Sequence, residues 1–206
     1  MRNQSSLICM ANDVRFVFLD RDGVINVKAP EGSYVRNWKD LQLLPDAAES
    51  VAMLNRSGLK VIVVTNQRGI ALGLLSELDL QGVHERLADM LANAGAHVDA
   101  IFYCPHDKNV CNCRKPKPGL FLQAFERFPA ANATNSVMIG DSASDMMAGN
   151  LLGMRTVLVR QKGRSASGHL VGAEELADWI TDSLQGAVER LLFGEPFQKK
   201  ASRTDK

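Results

Sequence analysis

Short apolar runs recur along the chain, and each one stops at polar residues able to do chemistry. The first, Phe16-Val17-Phe18-Leu19, leads straight into Asp20, Arg21, Asp22 and Gly23. A continuous apolar run this short predicts a strand buried on both faces, as at the centre of a parallel sheet. The pattern returns at 60–66, 98–103, 136–141 and 156–160, with a sixth short run at Trp179 and Ile180. Between these runs the apolar spacing turns helical. Pro45 and Asp46 open a helix that runs to 55, with Val51 and Leu54 inward and Gly58 beyond its end. Ser76 followed by Asp79 reads as a capping box with a shortened acid, and Leu80, Val83, Leu87 and Leu91 keep one face as far as Gly95. Further helices are predicted over 118–128 (Leu122 and Phe125 inward), 144–152 and 183–193. Strands alternating with helices make an α/β fold with a doubly wound, Rossmann-like parallel sheet.

The totals narrow the class. At 206 residues the chain suffices for one domain with one substantial core. That domain is expected over 14–195, between a flexible extension at 1–13 and a disordered tail at 196–206, with a mobile Gly- and Ser-rich loop over 161–172. Lys and Arg number 24 against 23 Asp and Glu, so there is neither the basic stripe of a nucleic-acid binder nor a polybasic membrane anchor. No apolar run approaches the ~20 residues of a membrane span. The patch at 7–10 is too short for a signal-peptide core, and Met10 offers an alternative start. Three of the four cysteines crowd into 104–113, while Cys9 stands apart. Such clustering argues for metal binding in a reducing compartment over a disulfide framework. A cytoplasmic monomer with no nucleic-acid or membrane partner is expected.

Four of the strands end in reactive residues: Asp20 and Asp22, Thr65 and Asn66, Cys104 and His106, and Asp141. Parallel strands bring such ends to one edge of a sheet, where α/β proteins bind ligands. Two carboxylates two residues apart repel unless a cation lies between them. The pair suits Mg²⁺ chemistry on phosphate, one carboxylate as nucleophile and the other as proton shuttle. The same residues would also serve an ordinary βα loop as helix caps. Thr65 suits either a turn or a phosphate contact. Asp141 would complete a Mg²⁺ site, and Asp145, in the first turn of the next helix, favours the helix dipole in any case. Within Arg114-Lys115-Pro116-Lys117-Pro118-Gly119, Lys115 and Lys117 are competing candidates to neutralise a nucleophile and a transferring phosphoryl group. Cys104, His106, Cys111 and Cys113 can wrap one tetrahedral Zn²⁺ as a closed, structural Cys₃His site. A redox cysteine set or a plain loop histidine are the alternatives. His84, His97 and His169 have no such company and read as surface or partly buried.

Taken in order, Asp20-Arg21-Asp22-Gly23, Val64-Thr65-Asn66-Gln67, Lys115-Pro116-Lys117-Pro118 and Gly140-Asp141 with Asp145 resemble the haloacid dehalogenase (HAD) superfamily of phosphohydrolases. These motifs span about two-thirds of the chain. The resemblance implies that Asp20 forms an aspartyl-phosphate, and that Asp22 first protonates the leaving oxygen and then activates water. Thr65 and Lys115 steady the phosphoryl group, which favours Lys115 over Lys117. Mg²⁺ is held by Asp20, Asp141 and the backbone carbonyl of Asp22, with Asp145 behind them. As an acid, Asp22 needs a pKa above the usual ~4, which repulsion from Asp20 would supply and Mg²⁺ would oppose.

A zinc-stapled loop just before Arg114-Lys115 resembles the D-glycero-D-manno-heptose 1,7-bisphosphate 7-phosphatase branch, which includes histidinol-phosphate phosphatases. It implies a small phosphorylated sugar as substrate and a product bound for nucleotide-activated heptose, in lipopolysaccharide or another surface glycan. The position of Arg114 helps to recognise substrate in that branch. Arg21, Gly23, Asn26, Asn66, Gln67 and Arg68 flank the catalytic motifs and are expected at the substrate with it, and the loop at 34–38 is expected to face it. Two features depart from the branch. The segment between the two zinc pairs is short, and Ser142 stands where a lysine commonly follows Gly-Asp. The segments 26–60 and 66–115 are each used up by one helix and its loops, so no large cap domain is expected. A polynucleotide 3′-phosphatase shares this chemistry, but the balanced charge disfavours it. A phosphate-sensing module would break the Asp20–Asp22 pair, which is intact. A zinc-finger interaction module would set its ligands apart from any catalytic framework.

Overall fold

The computed structural model describes residues 13–30, 32–160 and 172–194. Of the expected extension at 1–13 and loop at 161–172, all but Asp13 and Gly172 lie outside the described residues, as does the expected tail at 196–206. In chain order the elements are β1 (Phe16–Leu19), α1 (Ala47–Arg56), β2 (Lys60–Asn66), α2 (Glu77–Ala92), β3 (Ala100–Cys104) and α3 (Gly119–Arg127). They continue as β4 (Ser136–Gly140), α4 (Ala143–Leu152), β5 (Arg155–Val159), α5 (Ala173–Leu176), β6 (Trp179–Thr181) and α6 (Leu184–Phe193). The strands form one sheet in the order β3-β2-β1-β4-β5-β6, every pairing parallel.

β1 sits at the middle because all four of its side chains are apolar and the sheet has two faces to bury. Val17 and Leu19 point into the core under α1, α2 and α6, beside Val51, Leu54, Leu87 and Val188. Phe16 and Phe18 point the other way, under α3 and α4. There Phe18 stacks against Phe121 and Phe125 at 5.3 and 5.8 Å between ring centroids. This alternation is the period of two that a strand imposes.

The helices start where local chemistry starts them. Ser76 caps α2, and Asp79 returns the hydrogen bond to the Ser76 backbone. Gly153, in the left-handed conformation, closes α4. One inward assignment fails: Leu122 is 52% exposed, and α3 buries Leu120, Phe121 and Ala124 instead. Three consecutive apolar residues, 120–122, fit more than one helical stripe, and β1's phenylalanines select the one that meets them. The four-residue α5 is too short to leave a periodic signal.

From β1 the chain crosses to β2 on one side, and from β4 it crosses to β5 on the other. The carboxyl ends of β1 and β4 therefore border the crevice at which such sheets bind ligands. Among the described residues the connections around it carry one α-helix each and no inserted domain.

Candidate active site

Asp20 follows β1 and Asp141 follows the neighbouring β4, so the crevice sets two carboxylates side by side. Asp145, early in α4, joins them: one ligand oxygen from each of the three lies within 4.8 Å of the others. Two glycines permit this closeness. At Gly23 (φ +93°) a Cβ would lie 2.1 Å from Asp141 Oδ2, and at Gly140 it would lie 2.3 Å from Asp145 Cβ.

Three buried carboxylates this close demand positive charge. Lys115, only 3% exposed, supplies part of it. Its Nζ lies 3.1 Å from Asp20 Oδ1 and 2.6 Å from Asp145 Oδ1, and donates to the Val64 carbonyl at 2.6 Å. Lys28 supplies more, with Nζ 2.7 and 3.0 Å from the two oxygens of Asp141. Burial nevertheless pushes Asp20 up to about 7, with Asp145, Asp141 and Asp22 adding to the shift and Lys115 opposing it. Burial raises Asp141 as well, against the pull of Lys28. A hard divalent cation with oxygen ligands relieves this repulsion, and the donor set fits Mg²⁺.

Asp22 lies outside that carboxylate group. Arg21 grips it, with Nη2 3.0 Å from both Asp22 oxygens. Asn26 Nδ2 donates to Oδ1 and Gln67 Nε2 to Oδ2, each at 2.9 Å. Burial alone would raise the pKa of Asp22, but Arg21 and these donors hold it below the ordinary carboxylate value. That is the opposite of the raised value expected for a resting general acid. The groups that decide it, Arg21, Asn26 and Gln67, come from the loops after β1 and β2 and outweigh any repulsion from Asp20.

The structure also separates the two lysines. Lys115 is fixed at the carboxylates through a reciprocal clamp: its N–H donates to Asn66 Oδ1 at 3.0 Å, and Asn66 Nδ2 donates to its carbonyl at 3.1 Å. Lys117 turns away, donating to the Cys111 carbonyl at 2.6 Å.

A cleft of about 400 Å³ opens over Asp20. Asp22, Thr65, Asn66, Gln67, Arg68 and Arg114 line it as expected, together with Lys115 and Tyr34. Arg114 lines the cleft, and its Nη1 is buried without a partner. Three expected substrate residues lie elsewhere. Arg21 is 0% exposed and Asn26 is buried, because both are spent on Asp22. Gly23 packs against Asp141. Trp38 lies outside the cleft lining, half exposed. Two residues were missed: Lys28, on Asp141, and His84, whose Nε2 is 3.2 Å from Arg21 Nη1. Neither carries a motif, though a lysine eight residues after Asp20 was a local signal.

The second cluster forms where β3 ends. Cys104 Sγ lies 3.2 Å from Cys113 Sγ and 3.5 Å from Cys111 Sγ, and His106 Nδ1 lies 3.3 Å from Cys113 Sγ. All four donor atoms fall within 4.8 Å of one another. The Arg114 backbone N–H donates to Cys111 Sγ at 3.4 Å, a bond suited to a thiolate. Burial pushes the Cys104 thiol up to about 12, and its neighbouring thiols add to the shift. Three thiolates can stand together here only around a cation, and this soft, four-donor set fits Zn²⁺.

The HAD-hydrolase-like family model matches residues 112–187. The chain is 39% identical over 184 residues to the D-glycero-beta-D-manno-heptose-1,7-bisphosphate 7-phosphatase of Vibrio cholerae serotype O1, a match covering 85% of this chain and 95% of that one. It is 43% identical over 131 residues to the D-glycero-alpha-D-manno-heptose-1,7-bisphosphate 7-phosphatase of Mycobacterium bovis, covering 63% and 68% respectively. Among solved structures it is similar to the D,D-heptose 1,7-bisphosphate phosphatase from B. bronchiseptica complexed with magnesium and phosphate. There the TM-score is 0.76 at 29% identity, over 87% of this chain and 98% of that one.

Proposed function

The chain belongs to the D-glycero-D-manno-heptose-1,7-bisphosphate 7-phosphatase family of HAD-like hydrolases, and on that premise we propose that it removes the 7-phosphate of a heptose 1,7-bisphosphate through an aspartyl-phosphate on Asp20. The observation that carries the chemistry is the meeting of Asp20, Asp141 and Asp145 with Lys115 at the crevice between β1 and β4. Phosphoryl transfer asks mainly for in-line positioning and charge neutralisation, and this constellation offers both.

The hydrogen bonds to Asp20, from the Arg21 N–H and from Lys115, fall on Oδ1, leaving Oδ2 to attack phosphorus as the bond to the sugar oxygen breaks. Lys115 Nζ, held by the Val64 carbonyl, stands over the nucleophile and meets the charge that develops on the phosphoryl oxygens. The Thr65 hydroxyl, steadied by Gln67 Nε2 at 2.8 Å, is placed to donate to the same group. Mg²⁺, held by Asp20 and Asp141, would neutralise the phosphoryl group and so favour both attack and departure. Asp22, kept ionised by Arg21, accepts the proton of the water that cleaves the aspartyl-phosphate. To protonate the departing sugar oxygen it must first take up a proton, which requires the hold of Arg21, with Asn26 and Gln67, to loosen. Zn²⁺ on Cys104, His106, Cys111 and Cys113 would pin the loop that carries Arg114 and Lys115. We place the reaction in the cytoplasm; among the described residues no helix is long and apolar enough to cross a membrane.

The test is phosphate release with Mg²⁺ from each anomer of heptose 1,7-bisphosphate beside histidinol phosphate. A preference for one heptose of at least a hundredfold in kcat/KM, about 2.7 kcal/mol of transition-state binding, is expected. A flat profile would remove the heptose assignment and keep the phosphatase. Asp20→Asn should abolish turnover while circular dichroism stays native, and near-normal turnover would overturn the nucleophile.

A further inference from the structure

Lys28 has no part in the reaction as derived above, yet it holds the position most exposed to it. Its Nζ lies 2.7 and 3.0 Å from the two oxygens of Asp141, one of the three carboxylates grouped to hold a divalent ion. An ammonium and a divalent ion on the same carboxylate repel strongly at such distances in a buried site. Lys28 occupies both oxygens of Asp141, whereas Lys115 takes one oxygen each of Asp20 and Asp145, so an ion that needs an Asp141 oxygen displaces Lys28 and leaves Lys115 in place. The Lys28 side chain is 29% exposed and lines the cleft, so it has somewhere to go.

The other cleft cations explain where. Lys115 is committed to Asp20 and Asp145, and Arg68 pairs with Asp107. Arg114 has a buried nitrogen without a partner. Ser142 is neutral and spends its hydroxyl on Asp145 at 2.6 Å. A bisphosphorylated sugar brings a second multiply charged group into this cleft, and one guanidinium nitrogen is a thin match for it. We infer that Lys28 is a specificity-determining residue with two stations: on Asp141 in the metal-free chain, and on the second phosphate of a bisphosphorylated substrate once a divalent ion holds Asp141. The second station rests on the bisphosphate reading, and the first does not. Metal and substrate then bind cooperatively, because the metal releases the cation that the substrate captures.

The experiment uses the full chain and Lys28→Met, which keeps the apolar stem and removes the charge. Calorimetric titration with Mg²⁺ alone should show the variant binding several-fold more tightly than wild type. The ratio of kcat/KM for heptose 1,7-bisphosphate to that for heptose 7-phosphate should fall by about tenfold. Lys28→Arg should restore much of both. Equal Mg²⁺ affinity in wild type and Lys28→Met would overturn the first station. Tighter Mg²⁺ binding with an unchanged substrate ratio would overturn the second. A wild type inert toward the bisphosphate would count against the heptose reading and the second station together, while the Mg²⁺ titration still decides the first.

Discussion

Arg21 shows how the carboxylate of Asp22 is governed by the residues behind it. Its guanidinium faces Asp22, Gln67 Oε1 at 3.3 Å and His84 Nε2 at 3.2 Å. A guanidinium only donates, so His84 Nε2 must accept, and the ring in this arrangement is neutral. Burial lowers the pKa of His84 to about 4, with Arg21 adding to the shift and Asp22 opposing it. The linkage follows directly. In the unfolded chain His84 titrates near 6.5, so between about 6.5 and 4 the unfolded state binds more protons than the folded one. This contribution to stability is fully present above 6.5 and is lost as pH falls toward 4. The ring is partly solvated, so the loss should be roughly 1–2 kcal/mol, below the full value of the shift. Thermal unfolding of wild type and His84→Gln, followed from pH about 7.5 to about 4.5, should show the steeper decline in wild type. Parallel declines would mean that burial and Arg21 do not hold His84 neutral in the fold.

The loop carrying the Cys₃His cluster shows what an element owes to distant parts of the chain. It joins β3 to α3 and hands over from Cys113 directly to Arg114 and Lys115, so its geometry sets where the cleft cations start. Cys111→Ser should drop zinc content steeply and lower stability by at least about 2 kcal/mol, measured by metal analysis and thermal unfolding. Full zinc occupancy in that variant would remove Cys111 from the ligand set. This cluster was legible because its ligands lie within ten positions, just as the capping box of Ser76 and Asp79 was legible from neighbours three apart. The strand at 16–19 was legible because burial on both faces leaves an unbroken apolar run. What was not legible depended on long range. Arg21 and His84 stand 63 residues apart, and Gln67 reaches Asp22 across 45, so no local pattern announced that Arg21 would serve Asp22 and not the substrate. The same holds for Leu122, whose exposure was decided by which stripe of α3 the phenylalanines of β1 accept.

At the scale of the whole molecule, the parallel sheet concentrates negative charge where its own connections diverge. Asp20 comes from one half of the sheet and Asp141 and Asp145 from the other, and both halves are packed by separate cores above and below β1. The fold thus holds these carboxylates together against their repulsion, with Lys115 and Lys28 offsetting only part of it. An ion that binds the folded arrangement and not the unfolded chain must stabilise the fold by mass action. At a hundred times its dissociation constant, Mg²⁺ should add about 2.7 kcal/mol, which for a chain of this size is a rise of roughly 5–10 °C in Tm. Asp141→Asn removes one charged ligand and one partner of the repulsion. It should raise the Tm of the metal-free chain slightly and abolish most of the rise on adding Mg²⁺. Thermal unfolding of both chains with and without Mg²⁺, with zinc left in place, separates the two effects. If the variant kept the full Mg²⁺-dependent rise, the ion would be bound elsewhere, and the crevice between β1 and β4 would have to hold its three carboxylates by packing and lysines alone.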